Sequence, residues 1–493
     1  MRVLLVSPKT PTTFWSFQYA LKFINKKSSE PPLGLLTVAA LLPSDWHLKL
    51  VDLNVSPLRD DDIRQADFLF LSGMNIHLRS MQEVIARARA WGTPIVVGGP
   101  LATIDPGLLH DVDHFVLNEA EITLPRFLQD LQQGHAEKMY RSDSFPDLRQ
   151  SLVPRFDLLE MNKYSDMSVQ FSRGCPYNCD FCNVTLLNGH RPRTKTTEQF
   201  LRELQTLYDL HWRGSVFIVD DNFIGNRKIV KHELLPALID WMNARGRPFT
   251  FITQVSVNLA DDESLMDLMV RAGFDSVFVG IETPNLSSLN ESHKTQNIHR
   301  DLLQAVKTMQ RHGLIVSGGF IVGFDQDPPE IFDIQEKFIQ RSGIITAMVG
   351  LLNAPTGTRL YRRLQAEGRL LKPISGDNMD GDTNFVPKMN RQFLKNSYRN
   401  LIEKLYEPRK FYRRLKVFLN DYRLPDWPGG RTTWNEIKAF FKTLFVLGLR
   451  EKGRWQYWKI LGYAFVKFPR KFPLAVRLSV YGYHFRQIAK RLG

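Results

Sequence analysis

The chain has 493 residues, 43% of them hydrophobic, and a formal charge of +14. That length exceeds one ordinary core and implies two or three domains, and the composition excludes wholesale disorder. The charge is lopsided: from Arg391 onward there are 24 Lys and Arg against 6 Asp and Glu, which leaves 41 basic and 45 acidic groups in the first 390 residues. The body of the protein therefore lacks the basic field of a nucleic-acid binder.

The opening MRVLLVSPK reads as a buried first strand and not as a secretory leader. No run of 18 uncharged apolar residues is present, which speaks against a membrane-spanning helix. The three cysteines lie within eight residues. An odd, clustered set is no disulfide framework, and a reducing cytoplasm is the expected setting.

Residues 1–142 alternate strand and helix signals, with strands at Val3–Val6, Lys49–Leu53, Phe68–Ser72, Ile95–Val97 and His114–Leu117 and helices such as Leu33–Leu42 and Ser80–Ala90. Short apolar strands separated by helices predict a Rossmann-like parallel sheet covered on both faces. Residues 8–32 form a long first loop carrying Phe14, Trp15 and Phe17, and loops of that length usually serve a function. The polar stretch Asp143–Pro154 reads as a linker.

Residues 155–365 hold a second alternation. Strands are expected at Met167–Phe171, Val216–Val219, Phe249–Thr253, Ser276–Ile281, Ser317–Ile321 and Thr346–Leu352, with helices such as Glu198–Leu210 and Asp301–Arg311 between them. Six βα units predict an α/β fold of the partial (β/α)6 barrel kind, whose chemistry sits at the C-terminal strand ends. Residues 366–493 lose the strand signals and read as a basic, aromatic-rich helical region. In Thr433–Val446, for example, Trp434, Ile437, Phe441, Leu444 and Phe445 share one face and Lys438 and Lys442 another.

The loop after the first barrel strand reads Ser172-Arg-Gly-Cys-Pro-Tyr-Asn-Cys-Asp-Phe-Cys182. Thiolates are soft ligands suited to iron. A cubane cluster has four irons, and Cys175, Cys179 and Cys182 can hold only three, so one iron stays open for a small-molecule ligand. A structural zinc would want a fourth ligand, and no His lies closer than His190.

This CxxxCxxC loop resembles that of the radical S-adenosylmethionine (SAM) superfamily, over about residues 165–360. The resemblance implies a [4Fe–4S] cluster on Cys175, Cys179 and Cys182, with SAM on the open iron. One-electron cleavage, fed by an external donor such as flavodoxin or ferredoxin, then yields a 5′-deoxyadenosyl radical that abstracts hydrogen from substrate. It places Phe181 near the SAM adenine, Asp220 and Asp221 near its amine, Glu282 near the ribose and Val322 in the segment along the adenine. Gln254 and Ser256, at the third strand's end, are further candidate contacts. With no other cysteine present, routes that need a second cluster or a cysteine-borne methyl group are excluded.

In the first domain, small residues mark three strand ends: Ser72-Gly73, Gly98-Gly99-Pro100 and Asn118-Glu119. Glycines there let backbone approach a ligand. The absence of GxGxxG speaks against a nicotinamide or flavin dinucleotide. The order resembles cobalamin-binding domains, which implies cobalamin held by Ser72, Gly73, Gly98, Gly99, Pro100, Asn118 and Glu119. The usual DxHxxG is missing, since Ser7–Leu33 contains no His, and this speaks against a His-ligated cobalt. His77 as a stray ligand is weighed against a core-edge His, the commoner case.

The strings Thr13-Phe-Trp-Ser16, Pro31-Pro-Leu-Gly-Leu-Leu-Thr-Val-Ala-Ala40, His114-Phe-Val-Leu-Asn-Glu-Ala-Glu121, Val219-Asp-Asp-Asn-Phe-Ile-Gly225 and Met348-Val-Gly-Leu-Leu-Asn-Ala354 resemble one subgroup of cobalamin-binding radical SAM proteins. That subgroup includes the hopanoid C-2 methylase. The resemblance implies C-methylation of an unactivated carbon in a lipid or polycyclic substrate. Two other readings stay open: a cobalamin-using oxidative cyclisation or rearrangement without methyl transfer, and a non-catalytic cluster-bearing protein at a membrane. The basic tail fits either an anionic membrane face or an amphipathic cap whose charges are merely solvated; RNA is the weakest option.

Overall fold

The computed structural model describes residues 1–377, 379–425 and 434–492. Thr433, the first residue of the expected Thr433–Val446 helix, lies outside them; Trp434–Phe445 is helical.

The first sheet has six parallel strands: β1 (Arg2–Ser7), β2 (His47–Asp52), β3 (Phe68–Ser72), β4 (Ile95–Gly98), β5 (His114–Val116) and β6 (Met139–Tyr140). Their order is β2-β1-β3-β4-β5-β6. Alternate side chains feed two separate cores. Val3, Leu5, Phe70 and Val96 pack on one face, and Leu4, Val6, Leu69, Leu71 and Val97 on the other. That is why these strands read as unbroken apolar runs. The order reverses between β1 and β3, the place where open α/β sheets bind ligands. The sixth strand was not expected: two residues are too short to show alternation.

The second sheet is also all parallel. It runs in chain order through β7 (Asp166–Val169), β8 (Gly214–Ile218), β9 (Phe249–Val255), β10 (Phe274–Glu282), β11 (Ile315–Val322) and β12 (Ala347–Leu351). Along β9, Phe251, Thr253 and Val255 are buried while Thr250, Ile252 and Gln254 are half-buried, so the strand has a covered outer face and an inner face lining an open lumen. The expected β7 is shortened at its end, because Ser172–Arg173 leaves the sheet to pair antiparallel with Arg193–Thr194.

The tail closes the open side of the half-barrel. Helix Arg391–Tyr406 runs beside edge strand β12. There the Tyr398 hydroxyl donates to the Val349 carbonyl (3.1 Å), and the Tyr406 hydroxyl donates to the Ala347 carbonyl (2.6 Å) while accepting from the Ala347 N–H (3.1 Å). Side chains thus satisfy a strand edge that would otherwise template further pairing.

Helix Phe472–Leu492 then crosses back to the first loop. His484 Nε2 donates to the Phe14 carbonyl (3.1 Å), and Phe485 stacks on Tyr406 at 4.9 Å and meets Phe14 at 5.2 Å. The long first loop is thereby an ordered wall with Phe14 buried in the main core.

Two predictions follow from this packing. A Cβ at Gly482 would overlap three ring carbons of the fully buried Phe411. Gly482→Ala should lower stability by about 1–3 kcal/mol, an overpacking cost that exceeds the ~1 kcal/mol helix-propensity gain, and thermal unfolding will read it. Burial holds the His484 and His77 pKa values down at about 4. Between about pH 6.5 and 4 the unfolded chain therefore binds protons that the folded chain does not, so this stability is complete above the unfolded pKa and is lost as pH falls. The unfolding midpoint should drop across that window, with a shallower slope in His484→Gln.

Candidate functional site

The cluster loop is held from outside rather than by its own cysteines. Gly174 sits at φ 97°, and a Cβ there would meet the carbonyl oxygens of Asn188, Gly189 and Arg191 at 2.9–3.0 Å, so only glycine admits the tight entry. The Cys175 N–H donates to Gly189, the Asp180 N–H to Ser292, and the Leu360 N–H to the Asp180 carbonyl. The three cysteines are free thiols that influence one another electrostatically. Burial raises all three pKa values, that of Cys182 to about 12. Such thiols are neutral until a metal displaces their protons. Among the described residues no three His, Cys, Asp or Glu side chains converge on a single-ion position. The donor set fits a multi-iron cluster with one iron left open.

The carboxylates that end β8 shape this loop. Asp220 is fully buried and accepts from the Phe171 N–H (2.8 Å), the Ser172 N–H (2.7 Å) and the Ser172 hydroxyl (2.5 Å). Burial still pushes its pKa up to about 7. Asp221 accepts from Asn188 (2.9 Å). Asp220, expected at the SAM amine, thus joins the end of β7 to the start of the cysteine loop. Ser256 likewise joins a chain, accepting from Asn222 (3.3 Å) and donating to Asn258 (2.6 Å), whose amide donates to the Tyr177 hydroxyl (2.8 Å) inside the loop.

Glu282 does face the cavity. It sits at φ 62° where β10 slips register against β11, a left-handed conformation that a non-glycine residue adopts only under constraint. Asn297 and Gln335 supply that constraint, donating to the carbonyls of Gly280, Ile281 and Glu282. The Glu282 carboxylate pairs with buried Lys294 at 2.5 Å. Burial opposes the lysine's charge, but Glu282 and the neighbouring cysteines overcome it and hold its pKa above the ordinary value. Lys294 lies 5.9 Å from the Phe181 ring, and Gln296 Nε2 lies 3.6 Å from Cys179 Sγ.

The cavity holds about 230 Å³. Its walls are mostly aromatic and aliphatic, with Phe14, Trp15, Phe278, Phe320, Met348 and Leu351 prominent, and its polar side chains are Glu282 and Asn353. Phe181 lines it from the cluster loop. Gln254 stands opposite Phe278 in register, on the same face of the sheet. Val322 is buried, its carbonyl accepting from the Leu352 N–H (2.9 Å), and its neighbour Ile321 lines the cavity.

The strand ends of the first sheet carry the small residues that the sequence singled out. Ser72 and Gly98 are paired in register, and the Ser72 hydroxyl fills the space that a Cβ on Gly99 (φ 86°) would need. Gly73 is buried, with Met81 Sδ 2.6 Å from where a Cβ would stand, and Gly98, Gly99 and Pro100 are half-buried beside Ser72, so the glycines here permit close packing of neighbouring chain. His77 is committed elsewhere: its Nδ1 accepts from the Met74 N–H (3.1 Å) and its Nε2 reaches Thr10 (3.1 Å), so the core-edge reading holds.

Glu119 is engaged differently from the expectation. Its carboxylate pairs with Arg173 (2.6 Å) in the cysteine loop and Arg193 (2.5 Å), and Glu121 pairs with Arg173 at 2.8 Å. Asn118, at φ 62°, turns the chain into this cluster. Phe14, Trp15 and Phe181 were expected from the sequence, whereas Arg173, Arg193, Lys294, Gln296, Phe278 and Phe320 were not. Arg173 was visible inside the cysteine motif, whereas the others arrive from distant segments with no local signal.

Three family models match the chain. The B12 binding domain matches residues 23–128, the radical SAM superfamily 169–337, and a domain of unknown function 358–492. The fold and site are those of a radical SAM enzyme that carries a B12-binding domain ahead of its barrel. The chain belongs to the cobalamin-dependent radical SAM methylases. It is 39% identical to an uncharacterized methyltransferase of Synechocystis sp., over 99% of this chain and 92% of that protein. It is 34% identical to the hopanoid C-2 methylase of Rhodopseudomonas palustris, over 78% of this chain and 73% of that protein. In fold it is similar to the cobalamin-dependent SAM radical enzyme OxsB, with a TM-score of 0.62 at 15% identity over 100% of this chain and 79% of that one.

Glu119→Ala would leave the largely buried Arg193 without its carboxylate and Arg173 with Glu121 alone. The expected cost is about 3 kcal/mol of stability, read by urea unfolding.

Proposed function

We propose that this enzyme methylates an unactivated carbon of a polycyclic lipid, and that it works in the cytoplasm against the inner membrane face with a reduced flavodoxin or ferredoxin as electron donor. The observation that carries the lipid reading is the cavity wall, where Phe14, Trp15, Phe278, Phe320, Met348 and Leu351 surround a space with few polar side chains. Such a wall favours a fused-ring hydrocarbon by buried apolar area and offers a sugar or peptide few side-chain hydrogen bonds. The relative that is a hopanoid C-2 methylase supports the same class of substrate.

In this reading Cys175, Cys179 and Cys182 hold the cluster, Phe181, Gln254 and Glu282 bind SAM, and Ser72, Gly73, Gly98, Gly99 and Pro100 cradle cobalamin. Bound together, these groups supply the hydrogen-abstracting radical and the methyl group. The chain's own residues hold the parts at close range and keep water out. Lys294 pairs with the Glu282 carboxylate and orients it inside an apolar wall. Asp220 and Asp221 keep the cysteine loop rigid.

Anaerobically loaded enzyme, given methyl-labelled SAM, reductant and a polycyclic lipid extract, should release deoxyadenosine and a labelled lipid. Cys179→Ala should lose both and should lose the complement of about four irons per chain. Deoxyadenosine without label in lipid would instead favour cyclisation or rearrangement, and no deoxyadenosine at all would favour a non-catalytic role.

A further inference from the structure

Helix Arg454–Lys467 is apolar on two sides. Its inner side, Tyr457, Ile460, Leu461 and Ala464, is buried in the main core. An amphipathic cap would turn cations outward and aromatics inward. Here the outward stripe carries Trp455 (67% exposed), Trp458, Phe465 (66%) and Val466 (83%), with Lys459 and Lys467 among them. The preceding segment continues the pattern with Trp434 (67%), Phe441 (63%) and Leu449 (61%). Cations sit on these rings: Lys438 over Trp434 at 5.7 Å and Arg450 over Phe445 at 4.3 Å. Soluble surfaces rarely leave so many large apolar side chains contiguous.

The tail also touches the loop that supplies part of the cavity wall. Lys442 donates to the Lys22 carbonyl in the first loop. That loop also exposes Ile24, Lys22 and Lys27, and it supplies Phe14 and Trp15 to the cavity wall.

We infer that the C-terminal region matched to a domain of unknown function is a docking surface for an anionic phospholipid bilayer, on which helix Arg454–Lys467 lies flat beside the cavity mouth. No described helix is long and apolar enough to cross a membrane. Trp and Phe among Lys and Arg suit the bilayer interface, where rings enter the acyl boundary and cations meet headgroup phosphates. Val466 and Leu449 serve this purpose and have no use against stacked nucleobases. Docking there would let a lipid pass from bilayer to cavity without crossing water. The choice of occupant deepens the lipid reading above, but the surface itself stands on these exposed residues.

The test is co-sedimentation of loaded, full-length enzyme with phosphatidylcholine vesicles, with or without about 30 mol% phosphatidylglycerol. Binding should strengthen with phosphatidylglycerol and weaken with salt. The triple variant Trp455→Ser, Phe465→Ser, Val466→Ser should bind at least about tenfold more weakly with an unchanged unfolding midpoint. Lys459→Glu with Lys467→Glu should lose the preference for phosphatidylglycerol. No vesicle binding, binding unchanged in the triple variant, dimerisation through the stripe in sedimentation velocity, or RNA retention without vesicle binding would each overturn the inference. Vesicle binding by an enzyme that labels no lipid would sink the substrate reading alone, and lipid labelling by an enzyme that ignores vesicles would sink the docking surface alone.

Discussion

The buried ion cluster of Glu119, Glu121, Arg173 and Arg193 sets the relation between the two halves of this molecule. Charges taken out of water are costly unless each meets a partner at close range. Neither half can satisfy its own: the carboxylates end a strand of the first sheet, and the guanidiniums flank the cysteine loop of the second. The end of β5 is therefore drawn against the cysteine loop. Tyr164 adds a second tie, its hydroxyl donating to Asp52 at the end of β2 (2.9 Å).

Within that frame the polar and apolar tasks are segregated. Carboxylates and amides at strand ends are spent on backbone: Asp220 and Asp221 tether the cysteine loop, Asn297 and Gln335 fix the bulge at Glu282, and Asp327 accepts from the N–H groups of Gly323 and Phe324. The reaction space itself is left to rings and aliphatic chains. A site that must guard a radical benefits from this division, because a wall with few polar side chains offers water few partners.

The tail has a structural task whatever else it does. Its tyrosines close the free edge of β12, and its last helix clamps the first loop through His484 and Phe485. Loop, tail and barrel thus share one core, and the cavity wall depends on chain segments more than 450 residues apart in sequence.

Several features were set by sequence alone. Three cysteines in CxxxCxxC, with no fourth, define a cluster with an open iron, since ligand count is a local property. The strand runs of both sheets were legible because strands buried on both faces, or packed against helices, must be apolar throughout. The family followed from strings such as Val219-Asp-Asp-Asn-Phe-Ile-Gly225. Tertiary structure decided what each strand-end residue does. Asp220 and Glu119 looked like ligand contacts by position, yet their partners, Phe171, Ser172, Arg173 and Arg193, are fixed only when two sheets converge. Phe278, Phe320 and Lys294 carry no local signature, because a wall is assembled from residues hundreds of positions apart. The outward face of helix Arg454–Lys467 was ambiguous for the same reason: a helix apolar all round does not say which side it buries until its neighbours are in place.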